Sequence, residues 1–300
     1  MSGAFNIQPK PAGAVRAVPR PANDRYAEVV VGGIKTACVS RAQMAELMVE
    51  DCLAARTNHQ APKLVFASNG HAIAMAATDA TFAKHFEAAD LVHADGQPVV
   101  MGAKLLTRTP IPERSATTDF IHDAAKAAMA NGLSIFLLGA TEEVNAQCAE
   151  VLRFQYPELK IAGRRNGYFS RADEAAICEE INASGADIVF VGLSVPFEYE
   201  FCVRNKSLLH AGWVVTCGGC YNFVTGAYKR APEWMQRNSL EWFYRLAREP
   251  KRLFWRYAVT NPLAAFFIFT NSRSLNSAVP VRAAEAQAED APAGFGTRVA

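Results

Sequence analysis

Short apolar runs alternate with longer amphipathic stretches along most of the chain. Runs typical of strands cover residues 28–31, 63–67, 90–93, 134–139, 159–162, 187–192 and 213–217. The runs at 134–139 and 187–192 do not alternate polar and apolar positions, which is typical of strands that are buried on both faces. This succession of strand and helix patterns predicts an α/β fold with a mostly parallel sheet covered by helices.

The stretches between the runs carry signals for helix boundaries. Ser40 and Gln43 form a capping box, and Thr141 is placed to cap a helix with acidic residues in its first turn. Gly132 is placed to end a helix that begins near Thr118. Ligands bind such sheets at the carboxyl ends of the strands, so we expect chemistry in the loops directly after the runs.

The pattern changes after Gly226. Residues 229–256 contain eight Lys or Arg, three Glu and six aromatic residues. Two helical stripes run side by side, one of Trp242, Leu246, Leu253 and Tyr257 and one of Arg245, Arg248, Arg252 and Arg256. Pro250 predicts a break between two helices, because it cannot donate a hydrogen bond to the preceding turn. No strand pattern follows, so we expect a helical appendage without which the sheet domain still folds.

These patterns divide the chain into four parts. Residues 1–25 are rich in Pro, Ala and Gly, residues 273–300 are rich in Ala, and both predict flexible tails. The sheet domain covers residues 26–228, and the basic, aromatic appendage covers 229–272. Aromatic and basic residues on one amphipathic helix are typical of contact with a membrane surface.

Composition narrows the class of protein. The chain has 300 residues, 50% of them hydrophobic, and a formal net charge of +2. This charge excludes a broadly basic protein that coats nucleic acid and an acidic disordered protein. No apolar run is long enough for a transmembrane helix, and no apolar segment follows the basic N-terminal residues as in a secretion signal. Seven cysteines, an odd number, argue against a disulfide framework and indicate a reducing, cytoplasmic location.

Several common motifs are absent from the sequence. There is no G-x-G-x-x-G or Walker A loop, and the histidines show no metal-ligand spacing. Residues 192–196 approach a nucleophile elbow but lack its final glycine. Cys217 and Cys220 form a single C-x-x-C pair, which predicts ordinary thiols rather than a zinc site. We therefore expect neither a metal nor an organic cofactor.

Three loops after predicted strands hold candidate ligand-binding residues. Asp95, followed by Gly96 for a tight turn, either serves as a catalytic carboxylate or caps the next helix. Asn69 either hydrogen-bonds a sugar or a base, or caps the next helix. The glycine-rich turn at 217–226 either brings the backbone close to a ligand or connects flexibly to the appendage. The residues alone favour the cap for Asp95 and Asn69 and leave the glycine-rich turn open.

A set of short motifs occurs in one order along the chain. The motifs are Asp95-Gly96, Ile135-Phe-Leu-Leu-Gly139, Tyr156-Pro157, Gly167-Tyr-Phe169, Arg230-Ala-Pro-x-Trp234, Glu241-Trp-x-x-Arg245 and Glu249-Pro-x-Arg252. Together, over residues 30–257, they resemble the WecG/TagA/CpsF family of bacterial glycosyltransferases. The resemblance implies a Rossmann-like core with a C-terminal helical appendage.

The same resemblance implies an activity. It is the inverting, metal-independent transfer of an N-acetylmannosamine-type or related hexose from a UDP-sugar to a polyprenyl-diphosphate-linked saccharide. Such a reaction belongs to the synthesis of exopolysaccharide or another cell-surface polysaccharide. The resemblance also implies that the enzyme lies peripherally on the inner face of the plasma membrane.

The resemblance also implies roles for residues of the sheet domain. Asp95, in the family's Asp-Gly motif with Gly96, matches the proposed general base. Asn69 and Arg114 match residues that contact substrate. Thr117 stands where the family has a glycine.

The resemblance also implies which residues contact the UDP-sugar donor. The arginines of the appendage that are thought to close over the diphosphate match Arg245 and Arg252, with Arg256 nearby. Glu198 and Asn222 stand where the family has glutamine and aspartate, at positions that the resemblance places against the donor.

Two other functions fit parts of the pattern. The changes at Glu198 and Asn222 are compatible with a non-catalytic nucleotide-sugar-binding or scaffold subunit of a polysaccharide-synthesis complex. The aromatic, basic appendage suits an RNA-binding module, although no RNP-type motif supports it. We expect a UDP-sugar, a polyprenyl-diphosphate-linked acceptor and the inner-membrane surface as partners, and no nucleic acid. Association into a homo-oligomer stays open.

Overall fold

The computed structural model describes residues 25–58 and 60–275. Its strands are β1 (Glu28–Val31), β2 (Ile34–Ala37), β3 (Lys63–Ser68), β4 (Leu91–Ala94), β5 (Ser134–Gly139), β6 (Lys160–Arg165), β7 (Ile188–Gly192), β8 (Trp213–Thr216) and β9 (Arg273–Ser274). Six of them form a parallel sheet in the spatial order β4-β3-β8-β7-β5-β6. The predicted α/β fold with a mostly parallel sheet is confirmed, and the last six of the seven predicted runs supply its strands.

The first predicted run belongs to a second, antiparallel sheet with the order β2-β1-β9. β1 and β2 form a hairpin around Gly32 and Gly33, whose φ angles of +60° and +87° suit a two-residue turn that favours glycine. β9 pairs with β1 from the far end of the described chain, with Arg273 opposite Val30. Neither β2 nor β9 was predicted. The sequence of β2, Ile-Lys-Thr-Ala, contains no continuous apolar run, and β9 has only two residues and depends on a partner that is distant in sequence.

Helices occupy the connections between the strands. They are α1 (Arg41–Asn58), α2 (Gly70–Thr78), α3 (Ala80–Ala88), α4 (Gln97–Leu106), α5 (Thr117–Ala130), α6 (Glu142–Gln155), α7 (Glu174–Ala183), α8 (Phe197–Asn205), α9 (Cys220–Val224), α10 (Glu233–Arg237), α11 (Glu241–Arg248) and α12 (Pro250–Thr270). The predicted capping box is confirmed by reciprocal bonds of 2.9 and 3.2 Å between Ser40 and Gln43. The hydroxyl of Thr141 caps α6 by accepting the N–H of Val144, and Pro250 separates α11 from α12, both as predicted.

The parallel sheet is buried on both faces. Leu64 and Phe66 of β3 point into one apolar layer, and Val65 between them points into the other. Helices α2, α3, α4, α7, α8 and α12 cover the first face, whereas α1, α5, α6 and α9 cover the second. This double cover explains why the strands lack polar alternation.

Helix α12 completes the first apolar layer. Its residues Ala264 and Ile268 are 4% and 7% exposed and belong to the core. A Cβ atom at Gly102 of α4 would lie 2.6 Å from Cγ2 of Ile268, so glycine is needed for this close approach. Removal of residues 229–300 would uncover this face of the core, which argues against the expectation that the sheet domain folds without them.

The predicted tails lie outside the described residues, apart from Arg25 and residues 273–275. Arg25 forms ion pairs with Glu50 and Asp51, and Arg273 and Ser274 form β9. For these three residues the prediction of a flexible tail is wrong. Within the part of the chain that the structure describes, no helix is both long and apolar enough to cross a bilayer.

Candidate active site

The register of the parallel sheet brings two predicted site residues together. Ser68 of β3 pairs with Ala94 of β4, so the residues that follow them, Asn69 and Asp95, are neighbours. The Asn69 amide donates a hydrogen bond of 3.1 Å to Oδ2 of Asp95. Its Oδ1 accepts the N–H of Ala72 at 3.1 Å and caps α2. The predicted cap is confirmed, and the same side chain positions Asp95.

Gly96 permits this contact between Asn69 and Asp95. Its φ of −97° is open to any residue, so the expected role in a tight turn is wrong. An added Cβ atom would lie 3.0 Å from Cβ and 3.1 Å from Cα of Asn69. Any larger residue would therefore press Asn69 away from its place beside the carboxylate.

The Asp95 carboxylate accepts three hydrogen bonds. The N–H and the hydroxyl of Thr117 donate to Oδ1 at 2.9 and 3.2 Å, and Asn69 donates to Oδ2. Asp95 thus binds the first N–H of α5, where the helix dipole favours a negative charge, and not the helix α4 that follows it. An ionised carboxylate has four lone-pair sites, so one site stays free for a ligand hydroxyl.

The surroundings of Asp95 keep it ionised at neutral pH. Burial acts to raise its pKa, but the charge of Arg114 and the hydrogen bonds from Thr117 and Asn69 outweigh burial. The pKa of Asp95 therefore lies below its ordinary value. The group is available to accept a proton over the whole neutral range.

Arg114 connects Asp95 to the appendage. Its Nε donates a hydrogen bond of 2.8 Å to the backbone oxygen of Asp95. Its Nη1 forms an ion pair of 2.8 Å with Glu241, the first residue of α11. The two side chains are 17% and 20% exposed, so this pair is partly shielded from water.

Glu198 lies at the start of α8 and is 2% exposed. Its Oε2 accepts the N–H of Gly218, in the turn after β8, at 2.8 Å. Burial raises the pKa of Glu198 to about 8, and the charge of Asp95 acts in the same direction. The backbone N–H groups of Gly218, Leu193 and Ser194 act against burial, but their effect is smaller. The side chain is therefore mostly neutral at pH 7.

The predicted arginines stand on α11 and α12 beside aromatic rings. The guanidinium carbon of Arg245 lies 5.6 Å from the ring centre of Phe223, and that of Arg252 lies 5.8 Å from Tyr228. Arg256 stacks on its neighbour Tyr257 at 4.9 Å. Arg252 also pairs through Nε with Glu249 at 2.6 Å, and Arg256 donates a hydrogen bond of 3.2 Å to the hydroxyl of Tyr257. Stacking and these bonds orient the guanidinium groups and leave their remaining N–H donors for an anion.

A cavity of about 410 Å³ joins these elements. Every site residue predicted from the sequence lines it: Asn69, Asp95, Gly96, Arg114, Glu198, Asn222, Arg245, Arg252 and Arg256. Its floor is the carboxyl edge of the adjacent strands β4, β3, β8 and β7, which is where parallel sheets bind ligands. Helices α11 and α12 supply the opposite wall.

Sequence reasoning assigned no role to three further residues that line the cavity. Thr117 donates hydrogen bonds to Asp95, and Glu241 forms an ion pair with Arg114. His71, at the start of α2, also lines the cavity. Burial, together with the charge of Arg256, lowers the pKa of His71 to about 4, so its ring is neutral. His71 follows Asn69 by two residues, and this closeness to a post-strand loop was the only available signal.

The C-x-x-C pair also borders the cavity. Cys217 and Cys220 are buried free thiols, and burial raises the pKa of both well above the ordinary value. They are neutral, as expected of ordinary thiols. Among residues 25–58 and 60–275, no three side chains of His, Cys, Asp or Glu are grouped as metal ligands.

The sequence matches that of known proteins over the same region. The profile of the glycosyl transferase WecG/TagA/CpsF family matches residues 29–278. The chain is 31% identical over 186 residues to an N-acetylglucosaminyldiphosphoundecaprenol N-acetyl-beta-D-mannosaminyltransferase of Bacillus subtilis (strain 168), covering 62% of this chain and 71% of the relative. An enzyme of the same description from Bacillus spizizenii is 32% identical over 186 residues, with 62% and 70% covered.

Proposed function

We propose that this chain, which belongs to the WecG/TagA/CpsF family of glycosyl transferases, moves an N-acetylmannosamine-type sugar from a UDP-sugar to a polyprenyl-diphosphate-linked saccharide. The names of the Bacillus relatives, which describe transfer of N-acetylmannosamine to a lipid-linked N-acetylglucosamine diphosphate, support the sugar and the acceptor class. The observation that carries the proposal is an ionised carboxylate with one free lone-pair site, facing a wall of arginines across a single cavity.

In this reaction Asp95 acts as the general base. The acceptor hydroxyl occupies the free site of the carboxylate and gives up its proton to it as the oxygen attacks the anomeric carbon. The bond from that carbon to the diphosphate breaks, and its electron pair leaves with UDP. Attack from the side opposite the leaving group inverts the configuration at the anomeric carbon.

The leaving diphosphate gathers negative charge as this bond breaks. Arg245, Arg252 and Arg256 line the cavity and are oriented by their aromatic neighbours. Fixed guanidinium groups stabilise such charge without a metal ion and without reorganising during the reaction. We therefore assign to these side chains the stabilisation of the negative charge on the leaving diphosphate.

The appendage brings the site to a lipid-linked substrate. Its helices expose a set of aromatic side chains, between 38% and 75% accessible: Trp234, Trp242, Phe243, Phe254, Trp255, Phe266 and Phe269. Lys251 and Arg252 lie beside them in sequence and are exposed as well. Exposed aromatic groups next to basic ones favour the interface of an anionic bilayer, so we assign the protein to the inner face of the plasma membrane.

The test is Asp95→Asn, measured as UDP release from a panel of UDP-sugars with membrane extract as acceptor. We expect a folded protein whose turnover falls by roughly 10²–10⁴-fold, because the amide cannot accept the proton. Asp123→Asn on α5, outside the cavity, is the matched control and should keep its turnover. Wild-type turnover of folded Asp95→Asn at saturating donor would refute the base. Donor binding without any turnover in the unaltered chain would favour a non-catalytic subunit.

A further inference from the structure

The hydroxyl of Thr117 is directed at the base. Thr117, the first residue of α5, is 4% exposed, and among the described residues its Oγ1 hydrogen-bonds Asp95 alone, at 3.2 Å from Oδ1. The same carboxylate oxygen accepts the N–H of Thr117 at 2.9 Å. Because an ionised carboxylate only accepts hydrogen bonds, the hydroxyl is the donor. A glycine at this position would supply the N–H without the hydroxyl.

The two donors of Thr117 fill one oxygen of the carboxylate. A carboxylate oxygen has two lone pairs, and Thr117 takes both of those on Oδ1. Oδ2 accepts one hydrogen bond, from Asn69 at 3.1 Å. Counted over the contacts of the described residues, the lone pair that stays open belongs to Oδ2, on the side of Asn69 and the start of α2.

Thr117 is itself held in place by the fold. The thiol of Cys220, at the start of α9, donates a hydrogen bond of 3.5 Å to the backbone oxygen of Thr117. Further along α5, Phe120 and Ile121 are fully buried in the apolar layer on the second face of the sheet. A hydroxyl on a backbone anchored in this way has little freedom, so it fixes the plane of the carboxylate that it contacts.

We propose that Thr117 is a positioning residue for the base: its hydroxyl occupies Oδ1 of Asp95 and leaves Oδ2 as the oxygen that takes the proton of the acceptor. The proposal rests on the proposed function for the reaction itself. The proton passes to Oδ2 while the acceptor oxygen bonds the anomeric carbon and the electron pair of the broken bond leaves with UDP. The acceptor hydroxyl therefore approaches beside Asn69. Without the Thr117 hydroxyl, the carboxylate turns more freely and its open lone pair is misplaced.

The Thr117 hydroxyl also acts on the titration of Asp95. A hydrogen bond to the ionised form lowers the pKa, in the same direction as the bonds from Asn69 and from the N–H of Thr117. Within the described residues, the other titratable or charged groups that interact with Asp95 are Arg114, His93 on β4, Glu198 and Tyr199 on α8, Cys220 on α9 and Arg230 before α10. A substitution of Thr117 leaves all of them in the chain, so a difference between variants reports the hydroxyl.

Thr117→Val in the full chain tests the proposal, because it keeps the shape and the N–H but removes the hydroxyl. Carbon NMR of labelled aspartate carboxyl groups in the ligand-free protein follows Asp95, whose resonance is the one missing from Asp95→Asn. We expect its pKa to rise by about one unit, the effect of one hydrogen bond to a charged group. Activity needs the ionised base and is lost as the pH falls through this pKa, so the acid limb of kcat/KM should move up equally. At pH 7, kcat should fall roughly tenfold while the KM for the UDP-sugar stays the same.

Three further variants separate the hydroxyl from packing. Thr117→Ser restores the hydroxyl and should titrate and turn over as the wild type does. Thr117→Ala removes the hydroxyl with less bulk than valine and should reproduce the shift. Thr141→Val is the control, because it removes a hydroxyl that caps α6 outside the cavity. It should leave the titration of Asp95 and kcat unchanged.

Unchanged titration of Asp95 in both Thr117→Val and Thr117→Ala would overturn the proposal. A shift in Thr117→Ser as large as that in Thr117→Val would also overturn it, because packing would then be the cause. Either result, with turnover intact in the wild type, leaves the proposed transferase reaction standing. Conversely, a wild type that releases no UDP would refute the proposed function and, with it, the assignment of proton transfer to Oδ2, even if the titration shifts as expected.

Discussion

At the scale of single residues, the candidate site depends on side chains that serve structure and chemistry together. Asn69 caps α2 with its oxygen and holds Asp95 with its nitrogen. Asp95 accepts the first N–H of α5 while leaving one lone-pair site to the cavity. The two polar groups fix each other's orientation, so the base is preorganised before a ligand arrives.

Asn69→Asp separates the two functions of this side chain. The new carboxylate keeps the cap of α2 but removes the hydrogen bond to Asp95 and places a like charge beside it, so the pKa of Asp95 should rise. Activity requires the ionised base and is lost as the pH falls through its pKa, so the acid limb of kcat/KM should move to higher pH. Asn69→Ala is the comparison: it also loses the cap, which costs about 1 kcal/mol of stability. An unchanged acid limb in Asn69→Asp would contradict the positioning role.

At the scale of elements, α11 is tied to the floor of the cavity by charge. Glu241 at its start pairs with Arg114, which in turn holds the backbone of Asp95. Arg230, in the segment before α10, pairs with Asp119 on α5. These contacts hold the wall that carries the arginines close to the carboxyl edge of the sheet.

Glu241→Gln should loosen this wall. The pair with Arg114 is partly shielded, so its loss is worth about 1 kcal/mol, and amide hydrogen exchange in α11 should become roughly fivefold faster. Glu233→Gln is the matched control, because Glu233 pairs with Arg237 on the surface, where both side chains are about 80% exposed. Equal exchange rates in the two variants would show that the Arg114 pair does not hold α11.

At the scale of the whole molecule, one part of the appendage packs in the core and another part is exposed at the surface. Ala264 and Ile268 of α12 are part of the core, whereas Phe254 and Trp255 earlier in the same helix are 51% and 75% exposed. A deletion of the appendage would thus damage the core and membrane contact together. Substitutions of single surface residues are needed to test membrane contact without disturbing the core.

Trp255→Glu is such a change. It should leave thermal stability nearly unaltered but reduce flotation with anionic liposomes roughly tenfold, since it replaces an apolar group at the interface by a repelled charge. Phe154→Glu on α6 is the control, because Phe154 is 87% exposed and lies outside the appendage. If both variants float as the wild type does, Trp255 makes no contribution to membrane binding.

The sequence by itself determined the features that are encoded locally. Apolar runs marked the six strands of the parallel sheet, and Ser40, Thr141 and Pro250 marked helix boundaries, because burial and capping leave their pattern within a few residues. It also placed Asn69 and Asp95 directly after strands, and parallel pairing then brings them to one edge. The resemblance to a family supplied the arginines of the appendage, which charge patterning alone would have left as a solvated face.

Only the tertiary structure decided the features that depend on distant partners. Arg273 pairs with Val30, and Ile268 packs against Gly102, across separations that no local pattern records. The pairing of Arg114 with Glu241 has the same origin. The raised pKa of Glu198 depends on burial and on the charge of Asp95, which folding brings close from the end of a different strand. The sequence shows that a residue has a carboxyl group. Whether that group is ionised depends on burial and on the charges of the residues that folding brings around it.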